Sequence, residues 1–460
     1  MTMRGNISPK KQQMMLEENI RTLIPKMAVP TIVAQLITTI YNLVDTYFVS
    51  TIGTQATAAV GVNSSLERTI TLLGSLIGAG ACSYIARLLG AKRKEDADRV
   101  LSTSLFTGLA LGLVLMAAGL VIIRPLVYLL GANEDCVEYS MQYARYVLLA
   151  APFMIGSFIL NMCLRSEGSA TFAMVGIGFG GVLNCFLDPL FIRTFGLGVA
   201  GASMATAISK TISFCILLYP YLRKNTSVDI ALRKFRLLAA DVKEVLAIGS
   251  TSFFRSALAV VAMVTINRVA SAISTPALAA LSVANRVMEF PFAFILGFGQ
   301  GYQPVVGYNW GARQYGRVRE SLSFSAAVSV IGAIIVGGAL AVMAGQIVMI
   351  FNSQADADVL SIGILCIRLQ CAVLFSHALN SIINMFFAGI GDARRAILMS
   401  TARQGYVFIP IALILPRLFG ATGVASVQAA ADLICLVISV PLMITAYRLI
   451  AEREREQTAD

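Results

Sequence analysis

The dominant pattern along the chain is a series of apolar stretches of about 20 residues, separated by short polar segments. A helix of this length can cross a hydrocarbon core of roughly 30 Å, because each residue adds about 1.5 Å. The pattern therefore predicts an all-α integral membrane protein with twelve transmembrane helices. The predicted spans are residues 24–48, 58–86, 100–122, 143–164, 170–192, 200–221, 245–270, 279–307, 320–345, 359–388, 395–416 and 422–447.

Composition and charge support this prediction. Of the 460 residues, 57% are hydrophobic and 13% are charged, whereas soluble proteins carry roughly 25% charged residues. The net charge of +11 does not indicate a nucleic acid partner, because Lys and Arg are concentrated in alternate loops. Among the loops on the side opposite the N-terminus, the basic residues are Arg124, Arg193 and Arg417. Since cytoplasmic loops collect Lys and Arg, we expect both termini in the cytoplasm.

The second half of the chain repeats the first. A shift of 221 residues places Gly78 on Gly299 and Gly90 on Gly311, and a shift of 223 places Asn161 on Asn384. Six spans per half is an even number, so both halves enter the membrane in the same orientation. We predict two pseudo-symmetric six-helix bundles, residues 24–221 and 245–447, with a cytoplasmic linker at 222–244 and cytoplasmic tails at 1–23 and 448–460.

One carboxylate lies inside the first span, in the sequence YNLVD that ends at Asp45. Asn42, Thr38 and Gln35 precede it at helical spacing and share its face. If this face contacted lipid, amide and carboxylate groups would lack partners. We therefore expect the face to contact protein or water.

The fifth span carries a second carboxylate. Asn184 and Asp188 are one turn apart, and Pro189 permits a bend. Asp45 is 19 residues beyond Lys26 and Asp188 is 18 residues beyond Ala170, which places both carboxylates about 28 Å from the cytoplasmic ends of their helices. Two such groups at close range do not both ionise cheaply unless a cation lies between them. In the alternative interpretation, each is an interfacial residue that contacts outside water.

Other polar residues within the spans allow two interpretations each. Glu289 is either an acid that faces a substrate or a structural partner of Arg286. His377 is the only histidine, and we favour a packing role over a proton relay. Lys210 and Arg268 are expected to snorkel or to be paired.

Several motifs, taken together, carry a resemblance. They are YNLVDTYFV, ARLLGAK, NMCLRSEG, NCFLDPLFI, GVAGASMATAIS and YNWGAR, and in this order they resemble the multidrug and toxic compound extrusion family. The resemblance implies two six-helix bundles around a central cleft. It implies export of amphipathic, often cationic drugs in exchange for protons or sodium, by alternating access and without a further cofactor. We expect a monomer in the lipid bilayer of a bacterial inner (plasma) membrane, with small-molecule partners and no nucleic acid.

The resemblance also implies functional residues. The family's cation site maps onto Asp45, Asp188, Asn184 and Thr206, with Asn161 beside it, and a sodium ion would be held by Asp45, Asp188 and Asn184. Candidates for the substrate cleft are Gln35, Thr38, Asn42, Glu289, His377 and Asn384. The seventh span carries Arg255 and no acid, which departs from the sodium-coupled branch. This departure favours the branch similar to the DNA-damage-inducible and staphylococcal multidrug exporters.

Two alternatives come from other functional classes. A flippase for a lipid-linked precursor shares the broad architecture, but it needs a strongly cationic cleft for a pyrophosphate. An intramembrane aspartyl protease is suggested by GIGD at 389–392. The chain has no second span with the Tyr-Asp pair of such proteases, and basic Arg394 and Arg395 follow directly. We therefore expect a transporter and not an enzyme.

Overall fold

The computed structural model describes residues 9–351 and 356–459, and within these ranges the chain is helical without a β-strand. The first half begins with α1 (Pro9–Glu17) and α2 (Ile20–Ser50). The rest of the first half comprises α3 (Thr54–Gly90), α4 (Lys94–Val121), α5 (Ile123–Leu129), α6 (Val137–Ser166), α7 (Ala170–Pro189) and α8 (Gly198–Leu222). The second half comprises α9 (Ala239–Ile273), α10 (Thr275–Gly311), α11 (Tyr315–Phe351), α12 (Ala357–Ala372), α13 (Leu374–Ile390), α14 (Ala393–Thr401) and α15 (Phe408–Ala459).

The described helices account for twelve membrane crossings. Ten segments are long and apolar enough to cross a membrane, and α12 with α13 forms an eleventh with a bend of 47°. One of the ten is the 66-residue segment Ala393–Thr458, which would be about 100 Å long if straight. Arg403 and Asp432 within it form an ion pair of 2.7 Å, so the segment must turn back. The turn is at Gly420, which has φ 57°. The all-α, twelve-span prediction is therefore confirmed.

Several helices differ from the predicted spans. The predicted tenth span at 359–388 is two helices that meet at Val373, and the short helices α1 and α5 lie where the sequence indicated a tail and a loop. After Pro189, α7 continues as a π-helical turn over Leu190–Thr194. Proline donates no backbone hydrogen bond, so the helix changes its hydrogen-bonding register where the sequence predicted a bend.

The two halves pack by equivalent contacts. Gly78 of α3 lies against Phe158 of α6, where an added Cβ would be 3.2 Å from the ring. Its repeat partner Gly299 of α10 lies against Met385 of α13, at 3.1 Å by the same measure. Small residues allow such close helix approaches within a membrane. The predicted pseudo-symmetry of the two halves is therefore visible in their packing.

Polar contacts between the halves lie near one face, which we call the terminal face because α2 begins and α15 ends there. Arg87 forms an ion pair of 2.6 Å with Glu244, and Arg99 forms one of 2.8 Å with Asp241. The side chain of Arg165 donates to Gln300 at 2.6 Å. Toward the opposite, distal face, no ion pair or side-chain hydrogen bond between described residues joins the halves. The polar contacts that join the halves are therefore concentrated at the terminal face.

Candidate functional site

The carboxyl groups of Asp45 on α2 and Asp188 on α7 lie within hydrogen-bonding reach of each other. Helix α2 packs directly on α7, since Gly181 of α7 leaves room for the ring of Tyr41. This packing places Asp45, one turn after Tyr41, next to Asp188. The side chain of Asp188 is completely buried. The structure thus brings together the two acids whose depths matched in the sequence.

Neutral oxygens complete the surroundings of the pair. The Asn184 amide nitrogen donates to Asp188 at 3.2 Å and to the hydroxyl of Thr206 on α8 at 3.4 Å. Asp45 Oδ1, Asp188 Oδ2 and Asn184 Oδ1 are buried and accept no hydrogen bond from described residues. Buried oxygens normally have partners. These three oxygens can therefore accept a proton or a hard cation, which prefers oxygen ligands.

Further hydrogen-bonded side chains lie in the same bundle. Tyr143 on α6 donates to Glu67 on α3 at 3.0 Å. Thr206 accepts from Asn184, which contacts Asp188. Glu67 and Tyr143 therefore form one hydrogen-bonded group, and Thr206, Asn184 and Asp188 form another.

A positive charge lies close to these acids. Lys210 on α8 donates to the hydroxyl of Tyr41 at 2.8 Å, and its ammonium lies 4.8 Å from the centre of the Tyr41 ring. It also interacts electrostatically with Glu67 and Asp45. Lys210 is thus paired within the bundle, one of the two possibilities that the sequence left open.

The structure does not place Asn161 beside the aspartates. Its amide donates to the main-chain oxygen of Ala173 at 2.8 Å, and its oxygen accepts from Arg165. Ala173 is fifteen residues before Asp188 on α7, which is about 22 Å along the helix. The expectation that Asn161 belongs to the cation site is therefore wrong. Its side chain instead joins the ends of α6 and α7.

Asn384 has the same role in the second half. It donates to the main-chain oxygen of Ala396 at 2.7 Å, and the shift of 223 that relates Asn161 to Asn384 also relates Ala173 to Ala396. The residue is buried. An amide used in this way by both repeats ties two helices together, and the role of Asn384 in a substrate cleft stays a prediction.

The other cleft candidates differ in exposure. Asn42 and Glu289 are exposed, and Gln35 and Thr38 are half-buried. The hydroxyl of Thr38 donates to the main-chain oxygen of Ala34 at 2.9 Å. Glu289 interacts at longer range with Arg68 and Arg286, but among the described residues it forms no ion pair. This geometry favours the interpretation that Glu289 faces the cleft.

His377 lies inside the second bundle. Its ring meets the edge of Phe292 with centroids 5.0 Å apart, and its Nδ1 atom is buried without a hydrogen-bond partner among the described residues. Arg403 and Asp432 pair nearby. His377 therefore packs against an aromatic ring, as the sequence favoured.

The GIGD segment is a structural turn. Gly391 ends α13 with φ 91°, and the Asp392 side chain accepts from the backbone of Arg395 at 3.1 Å to cap α14. Capping of this kind is a common use of an aspartate before a helix. The described residues also contain no group of three His, Cys, Asp or Glu side chains that could hold a metal. Asp392 therefore has a structural role at the terminal face.

Comparison with known proteins decides the family. The model of the MatE family matches the chain twice, over residues 30–190 and 252–414. The chain belongs to the MatE family. The two matches begin at residues 30 and 252, close to the shift of 221 that relates the two halves, and each covers most of one bundle. This MatE protein is therefore a multi-pass membrane protein of a transporter family.

Relatives of this MatE protein extend over nearly its whole length. It is 27% identical to the multidrug export protein MepA of Staphylococcus saprophyticus, over 89% of this chain and 90% of the relative. It is similar to a solved MATE family transporter in an outward-facing conformation, with TM-score 0.90, 26% identity and coverage of 97% and 99%. A solved MOP superfamily transporter from Pyrococcus furiosus gives TM-score 0.89, 27% identity and the same coverage.

Sequence reasoning missed part of the MatE protein's site. Lys210 was noted as a charge within a span, but nothing in the sequence joined it or Glu67 to Asp45. Tyr143 and Tyr41 carried no signal, because tyrosines are common at the ends of spans. Only the packing of α2, α3, α6 and α8 brings these four side chains together.

Proposed function

We propose that this protein exports amphipathic, often cationic small molecules in exchange for protons or sodium ions, by alternating access between its two bundles. The observation that carries the proposal is the pair of half-buried Asp45 and buried Asp188. One oxygen of each carboxylate and the amide oxygen of Asn184 accept no hydrogen bond from the described residues. Two adjacent carboxylates repel each other strongly in a low-dielectric interior. Binding of one cation removes this repulsion.

Binding of the cation can be coupled to the state of the cleft. Asp45 and Asp188 lie on different helices, so neutralising them changes how α2 packs on α7. Pro189 follows Asp188 directly, and the π-helical turn after it is a local change of helix geometry. A change of packing that favours one orientation of the bundles over the other shifts the population between the two states. In our mechanism the cation enters from the distal side and drug leaves by the same side.

The orientation belongs to the proposal. We propose that the terminal face is cytoplasmic, because the loops at that face contain most of the Lys and Arg residues. The contacts that join the halves then lie on the cytoplasmic side of a bacterial plasma membrane. We also propose that the monomer is the working unit, since each chain contains both bundles, and that no cofactor is needed besides the coupling ion.

Similarity to a multidrug export protein favours drug export over lipid-precursor flipping. A flippase would need a strongly positive cleft for a pyrophosphate. Arg68 and Arg286 do lie near Glu289, but the Glu289 carboxylate offsets part of their positive charge. Asn42 adds an exposed neutral amide. We therefore retain the flippase as the second candidate.

The direct test is transport by the purified protein in liposomes. A proton gradient and a sodium gradient are imposed separately, and uptake of a fluorescent cationic dye is followed. We expect one of the gradients to drive transport against the dye's concentration gradient. Dye flux that is independent of both gradients, together with movement of a fluorescent lipid between leaflets, would favour the flippase.

A further inference from the structure

The short helix α1 contacts both halves of the protein at the terminal face. It comprises Pro9–Glu17, which is about 13 Å of helix. A helix of this length is marginal in water on its own, and in proteins such helices are stabilised by packing. The side chain of Met15 is completely buried. Helix α1 is therefore packed on the rest of the protein.

The carboxyl end of α1 is bound by the second half. The main-chain oxygen of Met15 accepts from the amide of Asn309 on α10 at 3.2 Å. The main-chain oxygen of Glu18 accepts from the guanidinium of Arg317 on α11 at 2.8 Å. Arg317 also donates to the Asn309 side-chain oxygen at 2.9 Å, which orients both donors. Because the last carbonyls of a helix lack partners within it and carry partial negative charge, this amide and this cation cap α1.

The other side of α1 lies against the first half. Gly168, in the turn between α6 and α7, packs on Met14 and Met15, since an added Cβ at Gly168 would be 2.8 Å from the terminal methyl carbon of Met14. The ammonium of Lys11 donates at 3.1 Å to the main-chain oxygen of Asn225, in the linker after α8. Helix α1 therefore bridges the two halves at the terminal face.

The donors that cap α1 differ between the two repeats. The shift of 221 residues places Asn309 on Leu88 and Arg317 on Asp96. A leucine side chain has no donor, and a carboxylate is unfavourable near the main-chain oxygens at the end of a helix. The first half thus lacks these two donors at the matching positions. Asn309 and Arg317 therefore serve a contact that the two halves do not share.

The contacts of α2 decide which half carries α1 when the halves separate. Helix α2 follows α1 directly, and its beginning packs on α10, since an added Cβ at Gly301 would be 2.5 Å from the Cα atom of Ala28. Such close backbone packing joins the beginning of α2 to the second half. Separation of the halves at the terminal face must therefore break the contacts of α1 with Gly168 and Asn225.

We propose that α1 is a latch that keeps the terminal face closed, and that it releases from the first half while it stays bound to the second. The contacts of Met14 and Lys11 with the first half are present only in the closed state, so they shift the population toward that state. The role of the latch in transport rests on the alternating access proposed above, whereas the docking of α1 on both halves does not.

The first test measures docking by hydrogen exchange of the full-length purified protein, followed by mass spectrometry. Amides of a docked helix exchange slowly, and those of a released nine-residue helix exchange quickly. In Arg317→Gln the charged cap is lost, so the amides of α1 should exchange at least about tenfold faster. The matched control is Arg319→Gln, because Arg319 lies on the same helix and pairs with Glu454. Equal exchange of α1 in the wild type and in Arg317→Gln would overturn the proposal.

The second test measures separation of the halves at the terminal face. Ser83 on α3 is buried, and its hydroxyl donates to the main-chain oxygen of Ala388 on α13 in the other half. In Ser83→Cys the thiol should therefore react with N-ethylmaleimide when the halves separate. Labelling at this position is quantified by mass spectrometry, in the full-length protein, for variants of α1 that also carry Ser83→Cys.

The first of these variants is Met14→Glu. It places a carboxylate against Gly168, next to the buried Glu167, and should release α1 from the first half. We expect labelling at Ser83→Cys to be at least about threefold faster, because the closed state loses the latch. The matched control is Gln13→Glu, which adds the same charge at an exposed position of α1 and should leave the labelling rate unchanged.

The second variant is Lys11→Met, which covers the case in which Met14→Glu does not fold. It removes the hydrogen bond to Asn225 and should raise the labelling rate about twofold. Labelling in both variants at the rate of Ser83→Cys alone would overturn the latch. Neither measurement requires transport, so a protein that shows these changes but exports no dye in liposomes retains the latch and loses the proposed function.

Discussion

Gly90 of α3 packs so closely on the main-chain oxygen of Tyr308 in α10 that a Cβ atom on this glycine would overlap that oxygen. The reverse contact is also present, because Gly311 of α10 packs in the same way on the main-chain oxygen of Arg87 in α3. A shift of 221 residues exchanges the two contacts. The halves therefore meet at the terminal face around a pseudo-twofold axis, through a contact that only glycine permits.

Because of this contact, we expect a single added methyl group at Gly90 or Gly311 to change the balance between conformations. In Gly90→Ala and in Gly311→Ala the added Cβ meets backbone, which cannot move aside as a flexible side chain can. We expect closure at the terminal face to be disfavoured, so that cysteines introduced on the cleft-facing side near that face are labelled faster. The control is Gly338→Ala on α11, since an added Cβ there has nothing within 4 Å. Identical labelling in all three variants would contradict the prediction.

The aspartate pair predicts loss of coupling with the fold retained. Asp45→Asn and Asp188→Asn should each abolish gradient-driven export in liposomes, because the remaining carboxylate no longer needs a cation to relieve repulsion. Asp45→Asn should still bind drug. Export by a well-expressed Asp45→Asn variant at the wild-type rate, with the same ion dependence, would contradict the mechanism. Asp135→Asn, which changes an exposed loop acid, is the control.

The same pair predicts reciprocal binding. Drug and cation compete through one equilibrium, so the factor by which saturating drug weakens cation binding should equal the factor by which saturating cation weakens drug binding. Both factors can be measured by titration of the purified protein. A factor of one, in which saturating drug leaves cation binding unchanged, would show that the two sites are not coupled.

Glu289 predicts charge selectivity. Glu289→Gln should weaken export of cationic compounds by roughly five- to tenfold relative to neutral compounds, because a cleft carboxylate attracts a desolvated cation. Arg286→Gln is the informative comparison. If Glu289 served only as the partner of Arg286, both variants would lower export of cationic and neutral compounds alike.

Glu167 predicts a pH dependence of stability. It lies in the turn between α6 and α7, where its Oε2 atom accepts from the backbone of Ser227 and its Oε1 atom has no partner among the described residues. Burial raises the pKa of Glu167 from 4.5 to about 7. As pH rises, the unfolded chain therefore releases the Glu167 proton at a lower pH than the folded protein does. The free energy of unfolding should fall as pH rises from about 4.5 to about 7. The total loss is about 3 kcal/mol.

The test of this dependence is thermal unfolding of the detergent-solubilised protein from pH 4.5 to 8. Glu167→Gln keeps an oxygen that can accept from Ser227 but carries no charge, so this variant should unfold at a higher temperature than the wild type at pH 8. Its unfolding temperature should also decrease less with rising pH than that of the wild type. Glu95→Gln changes an exposed acid on α4 and should leave the decline as in the wild type. A variant at Glu167 with an unchanged pH profile would refute the prediction.

The sequence by itself determined the membrane class, the twelve crossings and the repeat. Apolar length alone forces a span, since backbone groups in lipid must be satisfied within a helix. The glycines that recur at a shift of 221 mark close contacts, because only small residues allow them. The depths of Asp45 and Asp188 followed from the constant rise of a helix, and this is why their meeting could be anticipated.

The tertiary structure alone decided which side chains work together. Asn161 and Asn384 looked like site residues, yet each is used to join two helices. Glu67, Tyr143 and Lys210 are separated by more than sixty residues from one another and meet Asp45 only through packing. A linear sequence gives the depth of a side chain within its own helix, but partners on other helices are set by the rotation and tilt of each helix, which depend on the packing of the whole bundle.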